Sequence, residues 1–292
     1  MKKIASFVLS LVLFTSGVVI AQTGDYKIIP VPFNKVYVDD GFWTKRIKTN
    51  KEVTIPIAFG YFESIGRVNN FKIAVGLMKG KFQSGSPFDG SDVSKIIEGA
   101  AYSLSSSHDL KLEAYVDALI CFMGKTQGPD GYLYIYRTIM GNDSHLWIGS
   151  KRWEITHILS HELYNLRHMY EATGKRSLLD ISLKSADLVA KDSDWNALKS
   201  YPGHQEIEID LAKLYKVTGN KKYLDLAKYF LDVREKAGFE GNTYAQSHLP
   251  VVEQDEAVDH SFRALYIFPG MADVAALSGD KSYVEASNFF LG

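Results

Sequence analysis

One recurring unit confines this chain to a helical array. From Tyr201 the sequence reads Tyr-Pro-Gly-His204, then an apolar run to Val217, then Thr218-Gly219-Asn220, then a second run to Glu235. In the first run Ile207, Ile209, Leu211, Ala212, Leu214, Tyr215 and Val217 are apolar nearly all round, which predicts a helix covered on most sides. In the second, Tyr223, Leu226, Ala227 and Phe230 recur at i, i+3, i+4 and i+7, while Lys221, Lys222, Asp225, Lys228 and Asp232 lie opposite. That is the pattern of an outer helix with one wet face. Gly219 fits the left-handed residue that ends the first helix, and Asn220 fits the N-cap of the second.

Two further copies follow the same plan. His161-Glu162-Leu163-Tyr164 leads to Thr173-Gly174-Lys175 and an amphipathic run ending near Lys191; His260-Ser261-Phe262-Arg263 leads to Ser278-Gly279-Asp280 and a run to Leu291. The three histidines are 43 and 56 residues apart, a loose period suited to hairpins with variable loops. Tetratricopeptide arrays repeat at about 34 residues and fit poorly. Stacked hairpins build either an open solenoid or a closed toroid, and the pattern alone leaves both open.

Residues 1–21 read as a secretory signal: Lys2-Lys3 precede an uncharged run from Ile4 to Ile20, with Ala21 as the small residue at the cleavage point. An uncleaved anchor is the alternative. No lipid-anchor cysteine follows, so a secreted or periplasmic protein with no stable membrane span is expected. Residues 22–40 are punctuated by Pro30 and Pro32 and predict an extended arm. Residues 41–292 are then a single large domain. The net charge is −1 and no basic run exceeds Lys-Lys, which argues against nucleic acid as a partner. The one cysteine, Cys121, lies in an apolar helical run and is expected to be buried; a single cysteine forms no internal disulfide.

Along the rest of the chain roughly nine helices are expected, one near the start and then four pairs of inner and outer helices. Pro56 is expected to interrupt the first of them. A helix begins again near Arg67, residues 80–90 are a loop, and Ser91-Asp92 fit the cap of a helix over 93–105 paired with one over 109–126. Pro129-Asp130-Gly131 is a turn. The alternation Tyr132-Leu133-Tyr134-Ile135-Tyr136 reads either as an aromatic platform for a sugar ring or as a packed loop beneath the helices.

Several side chains fit chemistry. His157, His161 and His168 fall near one stripe with Glu162 adjacent, but the zinc-protease spacing His-Glu-x-x-His is not met. His204 with Glu208, and Glu256 with His260, are i, i+4 pairs in which a carboxylate would orient an imidazole. If the inner helices start at one rim, His161, His204 and His260 converge there with donors and acceptors suited to sugar hydroxyls. Carboxylates also cluster at Asp89, Asp92, Glu98 and Glu253-Gln-Asp-Glu256. Hydrolysis of a glycoside needs two such groups, or a carboxylate and another nucleophile, and sequence alone does not pair them.

Six blocks in order resemble one family: Gly66-Arg-Val-Asn-Asn-Phe71, Phe88-Asp-Gly-Ser-Asp-Val93 with Glu98-Gly-Ala100, Pro129-Asp-Gly-Tyr-Leu133, His161-Glu-Leu-Tyr164, Pro202-Gly-His-Gln-Glu-Ile-Glu208 and Gln254-Asp-Glu-Ala-Val-Asp-His260. Together they are similar to the β-L-arabinofuranosidases, glycoside hydrolase family 127 with its relative 146. The resemblance implies an all-α (α/α)6 barrel and release of L-arabinofuranose from plant glycans. It implies a retaining mechanism with a zinc-bound cysteine thiolate as nucleophile, a glutamate and further cysteines on the metal, and another glutamate as acid/base. By motif position His161, His204 and His260 would touch the sugar, with Asp92 and Glu208 as further substrate-side residues. The family's zinc, nucleophile and acid/base fall after the block matching Gly279-Asp280. They are therefore expected beyond Gly292, with no catalytic residue and no bound metal in this chain. The barrel is accordingly expected to be incomplete, and the helix from His161 to Thr173 is shorter than the family's. The alternatives are a non-catalytic carbohydrate-binding remnant, or another (α/α)6 enzyme such as a lyase or an unsaturated glucuronyl hydrolase.

Overall fold

The computed structural model describes residues 29, 31–83, 85–141, 166–191, 201–202, 204–236 and 241–291. Twelve α-helices occur among them, with no β-strand. In order they are α1 Trp43–Thr49, α2 Ile55–Ser64, α3 Arg67–Ala74, α4 Gly90–Ser106, α5 Leu110–Thr126, α6 Ile135–Met140, α7 Leu166–Thr173, α8 Ser177–Lys191, α9 Ile207–Thr218, α10 Lys221–Asp232, α11 Ser261–Ser278 and α12 Lys281–Leu291.

The helices pack in two rows. α4, α7, α9 and α11 follow one another in the inner row, with α2 beyond α4, and each pairs with an outer helix: α5, α8, α10 and α12. This hairpin array is consistent with part of a helical toroid. α9 is the most enclosed element: Ile207, Leu211, Ala212 and Leu214 are buried, and so are Glu208 and Asp210. α10 buries Tyr223, Leu224, Ala227, Phe230 and Leu231, close to the face its sequence period marks. Gly219 stops α9 at φ 68°, and the Asn220 side chain accepts from Lys222 N–H as N-cap of α10. Gly270 brings α11 against α9, since a Cβ there would lie 3.1 Å from Cβ of Glu208.

The first expected helix is several. α1 passes through a π-helical turn at Asn50–Thr54 directly into α2, so Pro56 does not interrupt the run. It sits in the first turn of α2, where its missing N–H is tolerated. Over the described residues 31–40 the chain carries a single 3-10 turn, at Phe33–Lys35, followed by Val36 in an extended conformation. α4 begins earlier than expected, with Asp89 rather than Ser91 or Asp92 at the N-cap position. Asp109 caps α5 as a side-chain acceptor from the Lys111 and Leu112 N–H groups.

The turn after α5 ties two outer helices together. Gly131 (φ 103°) approaches α8 so closely that a Cβ would lie 2.3 Å from the Lys184 carbonyl oxygen. Its own carbonyl accepts from Gln127 Nε2 (3.1 Å) and Ser185 Oγ (2.8 Å). The tyrosine alternation that follows is a packed loop, not a platform: Tyr132, Leu133, Tyr134 and Ile135 are all buried, and α6 begins at Ile135. Burial pushes the Tyr134 phenol up to about 12.

Candidate sugar-binding rim

The rim is built where α9 and α11 begin. His260 is the N-cap of α11, its Nδ1 accepting from the Arg263 N–H at 3.4 Å. An accepting Nδ1 places the neutral ring's proton on Nε2, which is then a donor. The Nδ1 of His204 lies against the Gln205 carbonyl. The His204 ring also packs edge-on against Tyr266 of α11, with centroids 5.8 Å apart. Tyr266 is six residues from His260, about 9 Å along a helix axis, so both imidazoles lie against the first two turns of α11.

Three glutamines, to which the sequence assigned no role, hold this arrangement. Gln205 Nε2 donates to the Ala245 carbonyl (2.8 Å) and to Gln246 Oε1 (2.9 Å). Gln246 Nε2 donates to the Thr243 and Val258 carbonyls at 2.8 and 3.0 Å. Gln254 Nε2 returns to the Gln246 and Leu249 carbonyls. The chain of amides thus fastens the residue beside His204 to the loop that delivers His260. Gln205 and Gln254 stand inside motifs quoted above, but Gln246 carries no signal except that it adopts φ 49°. Asp259, at φ 58°, is held by the Thr243 hydroxyl at 2.8 Å and turns the chain into His260.

Two expected pairings fail. Glu208 does not orient His204: its Oε1 meets Arg234 Nη2 at 2.5 Å and its Oε2 accepts from Glu206 N–H at 3.2 Å, with both side chains of the Arg234 pair fully enclosed. Arg234 in turn lies over the Tyr201 ring at 4.4 Å. Glu256 is not one helical turn from His260, because α11 begins only at Ser261 and Glu256 is an exposed loop residue. The rings that do meet His260 are Tyr244, at 5.0 Å, and Phe262, at 6.2 Å, and Arg263 covers Tyr244 from 4.6 Å.

Asp92 is engaged elsewhere. Arg67 bridges it (Nη1 to Oδ2, 2.5 Å) and the buried Asp89 (Nη2 to Oδ1, 3.2 Å), locking the start of α4 onto α3. His161 and His157 lie outside the described residues, and His168 falls within α7. The Asp210 carboxylate, one turn into α9, is buried with no hydrogen-bond partner among the described residues; desolvation, with Glu206, Glu98 and Glu208 nearby against Lys213, holds its carboxyl well above the usual range. Glu206 precedes it at φ 133°, a strained conformation for a residue with a side chain.

Cys121 corrects another expectation. It is exposed, on outer helix α5, where it lines a groove of about 660 Å³ with Lys175 and Ile181 of the next hairpin. An apolar period on a helix tells which face is covered, and Cys121 falls on the other one. Among the described residues no three His, Cys, Asp or Glu side chains come together as metal ligands, so these residues do not fit a zinc site. No helix among them is long and apolar enough to cross a membrane.

The hairpin array is that of the helical-toroid class. Residues 35–291 match the family model for the β-L-arabinofuranosidase GH127 catalytic domain, and the chain belongs to that family. A non-reducing end β-L-arabinofuranosidase of Bifidobacterium longum subsp. longum is 32% identical over 252 aligned residues, covering 76% of this chain and 38% of the relative. A solved GH127 β-arabinofuranosidase is 46% identical, with a TM-score of 0.79 over 89% of this chain and 42% of its own. The GH127 β-L-arabinofuranosidase of Geobacillus stearothermophilus T6 is 35% identical, with a TM-score of 0.78 over 87% and 44%. The chain therefore spans about two-fifths of the length of these relatives.

Proposed function

We propose that this chain is the sugar-recognition part of a secreted or periplasmic β-L-arabinofuranosidase, and that His204 and His260 contact a terminal L-arabinofuranose of a plant glycan. The observation that carries this reading is that both imidazoles lie against the first two turns of α11, His260 as its N-cap and His204 against Tyr266. A sugar hydroxyl both donates and accepts, and a neutral imidazole offers one nitrogen of each kind. Tyr244 and Tyr266, packed edge-on to these imidazoles, restrict their rotation and add apolar surface of the kind that meets sugar C–H groups. His161 joins them by motif position. Glu208 and Asp92, the further substrate-side residues of the family motifs, are held by Arg234 and Arg67.

In this reading the chain binds arabinofuranose without cleaving it. Cys121 sits on an outer helix, separated from the rim by the inner row, and so cannot serve as the nucleophile of a sugar held there. The charge-poor run behind Lys2-Lys3 supports export, and the zinc of the whole enzyme would be held by residues other than those described.

The test is a pair of measurements on the purified chain. Methyl β-L-arabinofuranoside raises its melting temperature and His204→Ala removes the rise, while p-nitrophenyl β-L-arabinofuranoside is not hydrolysed with or without zinc. Melts indifferent to the sugar would overturn the binding reading. Zinc-dependent turnover would overturn the division of labour.

A further inference from the structure

Arg263 is a charged side chain placed where several forces oppose it. It is the third residue of α11, only 4% exposed, in a first turn that holds no acidic residue. The helix dipole favours anions at that end. Burial holds its guanidinium below the usual value, and the Arg234 guanidinium nearby acts in the same direction. The surroundings of Arg263 show what a cation kept there does.

Its guanidinium lies over the face of Tyr244, 4.6 Å from the ring centroid. Tyr244 in turn packs nearly perpendicular to His260, at 82° with centroids 5.0 Å apart. The backbone N–H of Arg263 donates to Nδ1 of that same imidazole. One residue therefore acts on His260 twice, directly through its backbone and through Tyr244 with its side chain. Tyr244 belongs to the 3-10 turn Thr243–Ala245, which the Asn242 side chain caps. Gln246 Nε2 donating to the Val258 carbonyl, and the Thr243 hydroxyl donating to Asp259, pin this turn beside the residues that lead into His260.

Two changes would spoil the His260 donor. A half-turn of the imidazole about Cβ–Cγ puts Cδ2 where Nδ1 now accepts, and transfer of the proton to Nδ1 removes the acceptor altogether. At 3.4 Å the cap hydrogen bond is long and resists either change weakly by itself. Tyr244 blocks the half-turn only while its own ring stays in place. It is 38% exposed, so the buried cation over its face is a main restraint. Such a contact is stronger when the cation is desolvated, as Arg263 is.

We propose that Arg263 is a positioning residue for sugar recognition: through Tyr244 it fixes the His260 imidazole in one orientation, with its proton on Nε2 as the donor to a sugar hydroxyl. The proposal rests on the reading of His260 as a sugar contact, but the state of the ring can be measured without sugar.

Nitrogen-15 NMR of the full chain reads the tautomer, the His260 signals being assigned by their loss in His260→Gln. Without sugar, the parent is expected to show one protonated and one unprotonated ring nitrogen, with the proton on Nε2. Arg263→Met and Tyr244→Leu are expected to give signals averaged over both tautomers, while Arg263→Lys, which keeps a cation, recovers part of the single-tautomer signature. Affinity for methyl β-L-arabinofuranoside is expected to fall about tenfold in Arg263→Met and by less in Arg263→Lys. Circular dichroism checks that each variant is folded; should Arg263→Met not fold, Tyr244→Leu, at a partly exposed position, carries the test. A single tautomer retained in the folded variants, or a parent that already averages, would overturn the proposal, as would a lysine variant as impaired as the methionine one. A parent with one tautomer, lost in Arg263→Met, that binds no sugar would support the restraint on His260 and overturn the reading of the rim instead.

Discussion

Arg234 and Glu208 meet at 2.5 Å with neither side chain exposed, and this pair fixes the start of α9 against the turn that follows α10. A buried ion pair contributes little net stability over apolar residues of the same size, yet losing one partner leaves an uncompensated buried charge. Arg234→Met is therefore expected to destabilise the fold by about 3–5 kcal/mol. Arg234→Met with Glu208→Leu is expected to recover most of that loss. Urea denaturation of the two single variants and the double checks this; additive losses would mean that the pair is not coupled.

Asp210 predicts a pH dependence of known sign. Burial raises its carboxyl above the ordinary value, so folding favours the neutral acid. As pH climbs past that ordinary value, the unfolded chain releases its proton while the folded chain retains it, and stability falls until the raised value is passed. Asp210→Asn keeps the neutral shape and removes this slope. Its melting temperature is expected to exceed that of the parent by more at pH 7 than at pH 4, with Glu98, Glu206, Glu208 and Lys213 left in place. An equal difference at both pH values would show that the carboxyl ionises freely.

Gly131 has two reasons to be glycine: its φ of 103° and the Lys184 carbonyl 2.3 Å from where a Cβ would stand. Gly131→Ala is expected to cost more than about 2 kcal/mol, since the left-handed strain alone is about 1–2 kcal/mol. Gly219, also left-handed and with no described atom within 4 Å of where its Cβ would stand, isolates the strain term in Gly219→Ala. Chemical denaturation of both variants checks the difference.

The hairpins were legible in the sequence because their signals are local. Gly219 ends α9 and Asn220 caps α10 through contacts within a few residues, and the 3.6-residue period marks which face of α10 is covered. The site was less legible because its partners are distant. Nothing near Glu208 announces Arg234, 26 positions on in a short 3-10 turn, and a plausible partner one helical turn away, His204, lies before the helix begins. The Glu256–His260 pairing failed for the same reason, since i, i+4 geometry requires a helix spanning both residues. The Gln205–Gln246–Gln254 amides were hidden because glutamine has no positional signature.

Cys121 is exposed although it lies in an apolar run, because Val116, Leu119, Ile120 and Met123 take the covered face of α5. The exposed thiol predicts a fast reaction with a disulfide reagent, one equivalent per folded chain and without denaturant. Reaction only in urea would place it in the core after all.

The most direct test of the rim is calorimetric titration of the 292-residue chain with methyl β-L-arabinofuranoside, beside His204→Ala and His260→Ala. Saturable binding is expected in the parent, with a dissociation constant near 1 mM corresponding to about −4 kcal/mol. Each alanine variant is expected to abolish it while melting within a few degrees of the parent. No heat of binding in the parent, or binding that survives both substitutions, would contradict the assignment of the His204–His260 rim to sugar recognition.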